Sequence, residues 1–390
     1  MGVQGLSLDE EVLLEKARRQ TGLQDFGAAS FRPGLAKLLA SLEEDAALNA
    51  FGRYFARRQV LELLCHRLQL VEYRKRDLRV EKQEIRQPLF VLGLPRTGTT
   101  LLYGLLAQDP AHRSPLSWEV DDPCPPAREE NYARDPRRES SEERFDQLRM
   151  LAPGFQAIHP VGALLPQECI VITAVEFMSI RFEMCFDVAS YQEWLPAQSM
   201  ASAYRFHRHF LQHMQSGYAK ERWVLKSPGH LGPIGALLDE YPDAMLVQTH
   251  RDPLRVVPSV SSLEYTGRGI ASDAVDPLKI GRQQLRLWSR QLGQGMAARE
   301  SRPHQARQIF DLHFQEIVAD PLACVRRLYA HFDLELTPEA ERRMQAYLDA
   351  HPRDEHGTHA YSLESFGLDP DEVQAAFAEY CTHFAVEREG

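Results

Sequence analysis

One stretch constrains this chain more than any other: an uncharged apolar run, Leu89–Leu92, breaks at Gly93 into Leu94-Pro95-Arg96-Thr97-Gly98-Thr99-Thr100. The apolar pattern then resumes at helical spacing through Leu101, Leu102, Leu105 and Leu106. The run reads as a strand buried on both faces, the kind found in parallel sheets. The following helix stops at Asp109-Pro110. A strand, a loop of small residues and a helix N-terminus aim several backbone N–H groups and the positive end of a helix dipole at one spot. An oxyanion, phosphate or sulfate, fits there without further machinery.

Gly93 and Gly98 have the spacing of a P-loop, but a nucleotide triphosphatase loop continues with Lys and then Ser or Thr, for the outer phosphates and magnesium. Here Thr99 stands at the lysine position, and the cation comes three residues earlier, as Arg96. Hydroxyl and amide donors with one guanidinium suit an anion held without a metal. With these residues in place, the loop resembles the 5′-phosphosulfate loop of sulfotransferases that use 3′-phosphoadenosine-5′-phosphosulfate (PAPS). Its Pro-Arg-Thr-Gly-Thr-Thr form is similar to the bacterial-type members; cytosolic eukaryotic ones usually carry lysine where this chain has Arg96. The resemblance implies cofactor-binding roles for Arg96, Thr97, Gly98, Thr99 and Thr100.

Two further blocks extend the pattern. Trp223–Leu225 reads as a short buried strand ended by Pro228, so Lys226 and His230 project from the loop beyond it. Sulfuryl transfer needs a base for the acceptor's proton, cations for the transferring oxygens and help for the departing phosphate. His230 titrates in the right range for the first task, and Lys226 with Arg96 suits the others. The block resembles the Lys-Thr-His and Lys-Ser-Pro segments of sulfotransferases, although His230 falls two residues later than in the Lys-x-His pattern. Glu119, beside a proline-rich loop, and Glu168, alone among apolar residues, are the other candidate bases. Ala244-Met-Leu-Val-Gln-Thr-His250 reads as another buried strand, ending in the charged loop Arg251-Asp252-Pro253. Arg251 and Ser259, eight residues apart, can converge on a second phosphate. That spacing matches the family's 3′-phosphate motif.

Strands alternating with helices predict an α/β fold: a P-loop-like central parallel sheet flanked by helices. We divide the chain into a helical N-terminal segment, 1–86, packed on the core, and a sulfotransferase α/β domain, 87–390. A helical insertion at about 130–216 lies on the acceptor side. Ser7-Leu-Asp-Glu10 has the outline of a capping box for the first helix. The chain is read as looping beyond Leu263 through Gly267 and Gly269, and one last helix runs from Asp369-Pro370 to about Phe384. The Phe177, Met178, Phe182, Met184, Phe186, Tyr191, Trp194 and Tyr204 series divides between core and acceptor pocket.

The net charge of −10 disfavours a general nucleic-acid binder. No apolar run approaches the roughly 20 residues of a membrane span, and no basic-then-apolar leader opens the chain. Six scattered cysteines show no paired spacing, which fits a reducing cytoplasm. His351, His356 and His359 lack zinc-ligand spacing and read as part of a lid, so no metal is expected. The expected enzyme moves a sulfuryl group from PAPS to a hydroxyl, less readily an amine, of a small and apolar acceptor, and releases adenosine 3′,5′-bisphosphate (PAP). A homodimer is compatible with this reading. A P-loop-type kinase or a non-catalytic nucleotide-binding protein are the alternatives; the kinase requires a lysine at position 99 and a magnesium-binding aspartate at a strand end.

Overall fold

The computed structural model describes residues 6–151, 161–351 and 362–389; His356 and His359 of the expected lid lie outside them. Five parallel strands are arranged in the order β2-β3-β1-β4-β5: β1 Leu89–Gly93, β2 His112–Arg113, β3 Arg222–Lys226, β4 Met245–His250 and β5 Ile309–His313. The apolar run thus becomes the middle strand, hydrogen-bonded on both edges and buried throughout. Its side chains alternate faces, as a pleat requires. Phe90 and Leu92 join one core; Leu89 and Val91 join a second with the Thr99–Leu106, Pro321–His331 and Pro338–Ala350 helices.

The N-terminal helices, Glu10–Thr21, Arg32–Glu44 and Ala50–Arg76, cover the Phe90 face, and their Leu13, Leu35 and Leu64 belong to its core. A buried ion pair binds them to the segment around Glu176. Arg67 donates to Glu176 at 2.5 Å and to the carbonyls of Phe26 and Ala28, lying between the rings of Phe31 and Phe206. Backbone also meets backbone closely here. A Cβ on Gly52 would come within 1.9 Å of the Ala271 carbonyl oxygen, and one on Gly34 within 2.3 Å of that of Phe177. Only glycine permits these crossings.

Three local expectations are corrected. Asp9, not Ser7, caps the first helix, accepting from Val12 N–H, while Ser7 accepts from Asp9 N–H. The helix after β4 does not end near Leu263 but runs from Pro253 to Ala271. Gly267 sits inside it because a Cβ there would meet the Met184 carbonyl oxygen at 2.4 Å; packing, not a turn, requires that glycine. The last helix is two, Pro370–Ala376 and Ala378–His383. Of the aromatic series, Phe177, Phe182, Tyr191 and Tyr204 are core. No helix among the described residues is long and apolar enough to cross a membrane.

The Ala201–Gly217 helix buries His207 and His213 completely, and burial holds their pKa values down at about 3 and about 4. The unfolded chain protonates both near pH 6.5, whereas the folded one does so only far below. Their contribution to stability is therefore present above that pH and lost as pH falls toward 4. Urea unfolding at pH 7 and pH 5 is expected to show a loss of up to about 2 kcal/mol per histidine. The drop should be shallower in His213→Gln; equal drops in the two proteins would refute this account.

Candidate functional site

The Arg96–Thr100 loop, Lys226 and Arg251 stand at the carboxyl ends of β1, β3 and β4, where parallel sheets bind ligands. Ser259 lies in the Pro253–Ala271 helix that follows β4. Beyond β1 the backbone takes positive φ at Gly93 (141°), Arg96 (65°) and Gly98 (85°). A Cβ on Gly93 would lie 2.5 Å from the carbonyl oxygen of Thr249 on β4. Thr97 is fully buried; its hydroxyl donates to the Leu94 carbonyl at 2.7 Å and lies 2.6 Å from the Thr249 hydroxyl. Its side chain pins the loop rather than facing a ligand. No side chain caps the helix that begins at Thr99, so its N-terminus is left to the cavity that Arg96, Gly98, Thr99 and Thr100 line.

This cavity, about 740 Å³, also receives Lys226, Glu168 and Arg251. The two arginines and the serine meet directly. Arg251 donates to the Arg96 carbonyl oxygen at 2.8 Å, and Arg96 Nε donates to the Ser259 hydroxyl at 3.2 Å. Arg251 lies over the Phe314 ring, 3.8 Å from its centre, and holds the Glu389 carboxylate by two bonds of 2.8 and 2.9 Å. Lys226 and Glu168, both buried, form an ion pair on the cavity wall. Glu183 and Glu264 line the same cavity beside Met184, Val260 and Leu263. Both are 2% exposed. Burial raises both carboxyls, Glu264 to about 7 and Glu183 well above the usual carboxylate range with repulsion by Glu264 adding to it, while Arg268 donates to Glu264 at 2.6 Å.

His230 is placed differently from expectation. It is 2% exposed, packs edge-on against Phe90 and lines a separate cavity with Tyr204. Burial drives its pKa well below the ordinary value. The short helical turn Pro228–His230, capped by the Ser227 hydroxyl, carries its ring behind the loop while Lys226 stays in front. Glu119 is also committed elsewhere: Arg113 donates to it at 2.6 Å and Tyr132 at 2.7 Å. Of the three candidate bases, Glu168 alone faces the cavity of Arg96 and Lys226. Glu389, which sequence reasoning missed, is one acidic residue in a charged stretch and had no local signal. The Glu264–Arg268 pair, opposite charges four apart, was missed as well, because the sequence reading placed a loop where the Pro253–Ala271 helix continues.

Comparison with known proteins agrees with this geometry. Residues 88–338 match the model of the sulfotransferase family. The chain belongs to that family. Sulfotransferase STF1 of Mycobacterium tuberculosis H37Rv is similar in structure, with a TM-score of 0.85 and 32% identity over 95% of this chain and 98% of its own. STF9 of Mycobacterium avium superposes with a TM-score of 0.88 and 31% identity, covering 98% of both chains. A curated relative, the omega-hydroxy-beta-dihydromenaquinone-9 sulfotransferase Stf3 of Mycobacterium bovis, is 27% identical over 71% of this chain and 70% of its own. The protein is thus a sulfotransferase in fold and family, and the kinase alternative is set aside. Among the described residues no group of three or more potential ligands could hold a metal.

Because both the positive φ and the 2.5 Å approach at Gly93 exclude a side chain, Gly93→Ala is expected to cost about 1–3 kcal/mol or more in urea unfolding. Wild-type stability in this variant would show that the loop is not held by its contact with β4.

Proposed function

We propose that this protein transfers the sulfuryl group of PAPS to a hydroxyl, less readily an amine, of a small and largely apolar acceptor. The observation that carries the proposal is that Arg96 and Arg251, from adjoining strand ends, line one cavity with Lys226 and Glu168, Arg251 donating to the Arg96 carbonyl and Arg96 to Ser259 on the following helix. On this reading the β1 loop, with the backbone of Thr97 and Gly98 and the side chains of Arg96, Thr99 and Thr100, holds the 5′-phosphosulfate. Arg251 and Ser259 hold the 3′-phosphate. A guanidinium fork and a helix N-terminus both favour phosphate-like oxyanions.

The acceptor oxygen attacks sulfur; the bond from sulfur to the 5′-phosphate oxygen breaks, and PAP departs. Glu168 takes the acceptor's proton in place of His230, which lies outside the cavity. Lys226, released from Glu168 as the carboxylate is neutralised, is free to stabilise charge on the leaving oxygen. Catalysis is then positioning plus charge stabilisation, as in phosphoryl transfer. An apolar acceptor suits the part of the cavity formed by Met184, Val260, Leu263, Leu287 and Trp288. The relative Stf3 has a hydroxylated menaquinone derivative in its name, which points the same way.

Calorimetric titration with PAP, with magnesium-ATP as control, tests the nucleotide assignment. Tight PAP binding is expected, weakened at least tenfold by Arg251→Ala, about 1.4 kcal/mol or more. Glu168→Gln should leave PAP binding in place yet lower kcat by about 10²–10⁴ with labelled PAPS. No PAP binding, or binding of ATP instead, would sink the proposal. The Glu389 carboxylate occupies the guanidinium assigned here to the 3′-phosphate. Glu389→Gln is therefore expected to tighten PAP binding about three- to tenfold, roughly 0.7–1.4 kcal/mol; unchanged affinity would mean the two anions do not compete.

A further inference from the structure

The segment after the Ala378–His383 helix crosses the carboxyl ends of β4 and β5. It starts from a firm anchor: Phe384 stacks on His250 with ring centres 4.2 Å apart, and the Tyr380 hydroxyl accepts from the Arg251 N–H at 3.3 Å. The backbone then turns at Ala385, which takes a positive φ of 50°. That conformation is uncommon for any residue with a Cβ and costs free energy. Beyond the turn Glu387 and Arg388 are exposed, and the segment is tied down through Glu389. The Glu389 N–H donates to the Asp252 carboxylate at 2.9 Å, and its own carboxylate accepts from Arg251. Beneath the segment is a hollow of about 220 Å³, walled by His250, Arg251, His313 and Phe314 on the sheet side and by Val386 and Glu387 on the other. The segment thus spans open space and is fastened at its tip.

The fastening uses the part of Arg251 that an oxyanion needs. Nε and Nη2 donate to the two oxygens of Glu389, Nη1 donates to the Arg96 carbonyl, and the Phe314 ring covers the guanidinium plane. A guanidinium grips a carboxylate or phosphate best with two parallel bonds from one edge. Glu389 takes one such edge, and the bond to Arg96 takes Nη1 on the other. A phosphate on Arg251 would therefore lie against the Glu389 carboxylate, and like charges that close repel. Arg251 and Phe314 line both the hollow and the large cavity, so the two spaces share this guanidinium.

We propose that residues 385–389 form an autoinhibitory strap: Glu389 holds Arg251 in the absence of nucleotide, and a phosphate monoester arriving at Arg251 displaces the carboxylate and frees the strap. The inference rests on the assignment of the 3′-phosphate to Arg251. A phosphate monoester carries more negative charge than a carboxylate at neutral pH, so the exchange favours the nucleotide. The turn at Ala385 works in the same direction, because release lets it relax. Apparent nucleotide affinity is then lowered by the share of the protein that is strapped.

Amide hydrogen exchange at Glu389, read by NMR on the full-length protein, follows the strap directly. Exchange is expected to quicken about tenfold when PAP saturates the protein, and to stay within about twofold with adenosine, which carries no phosphate. Ala385→Val separates the strap from the charge: Arg251 and Glu389 remain, but a β-branched side chain at positive φ opposes the turn. Ala385 is exposed, so the change disturbs no core packing. In this variant the Glu389 amide should exchange about tenfold faster without ligand, and PAP should bind about threefold more tightly. PAP binding that leaves Glu389 exchange unchanged would overturn the strap and leave the nucleotide assignment standing. Wild-type PAP affinity in Ala385→Val would show that the strap does not inhibit, and release by adenosine would remove phosphate as its trigger. Failure of PAP to bind at all would overturn the strap and the nucleotide assignment together.

Discussion

The site depends first on how closely β1 approaches β4 at their carboxyl ends. Gly93 and Thr249 are paired across the sheet, and the room left for a side chain on Gly93 is below any ordinary contact distance. That closeness lets the Thr97 hydroxyl reach Thr249 and pin the loop from beneath. The pinned loop holds Arg96 at positive φ, a conformation uncommon for a side chain as large as arginine. Its carbonyl then turns toward Arg251 and its Nε toward Ser259. Sheet geometry, through one glycine, thus reaches both arginines of the cavity.

Concentrated positive charge is costly to hold in a partly closed cavity, and two of the cations here have acidic partners. Lys226 has Glu168 and Arg251 has Glu389. A buried ion pair of this kind adds little net stability, because desolvation offsets attraction, but losing one partner strands the other. Glu168 thus serves two states: it neutralises Lys226 at rest and, on the proposed mechanism, becomes the base once an acceptor arrives. A histidine in the adjoining chamber, kept neutral and tied to Tyr204, cannot exchange roles with Lys226 in this way.

Most of the architecture was legible because its signals are local. The uncharged strand Leu89–Leu92, the glycine break and the eight-residue step from Arg251 to Ser259 each follow from short-range chemistry, and the structure contains them. What escaped reading depends on distant partners. Gly267 looks like a loop residue until Met184 is known to press on it. Glu119 looks like a base until Arg113 and Tyr132 claim it. His230 had the right residue type near the right strand end, but a single short turn decides on which side of a loop a ring emerges. Glu389 is 138 residues from Arg251, a separation that no local pattern encodes.

The bond from Arg251 to the Arg96 carbonyl has a consequence for selectivity. It fixes the end of one strand to the loop of its neighbour, so that, on the proposed function, the two phosphate seats form one gauge rather than moving independently. A gauge measures separation rather than charge. A nucleotide carrying the same number of phosphates in another arrangement can satisfy one seat only by leaving the other empty. On the proposed function, discrimination between adenine nucleotides then rests on the span between two phosphates, set by the spacing of adjoining strands, and needs little direct reading of the base.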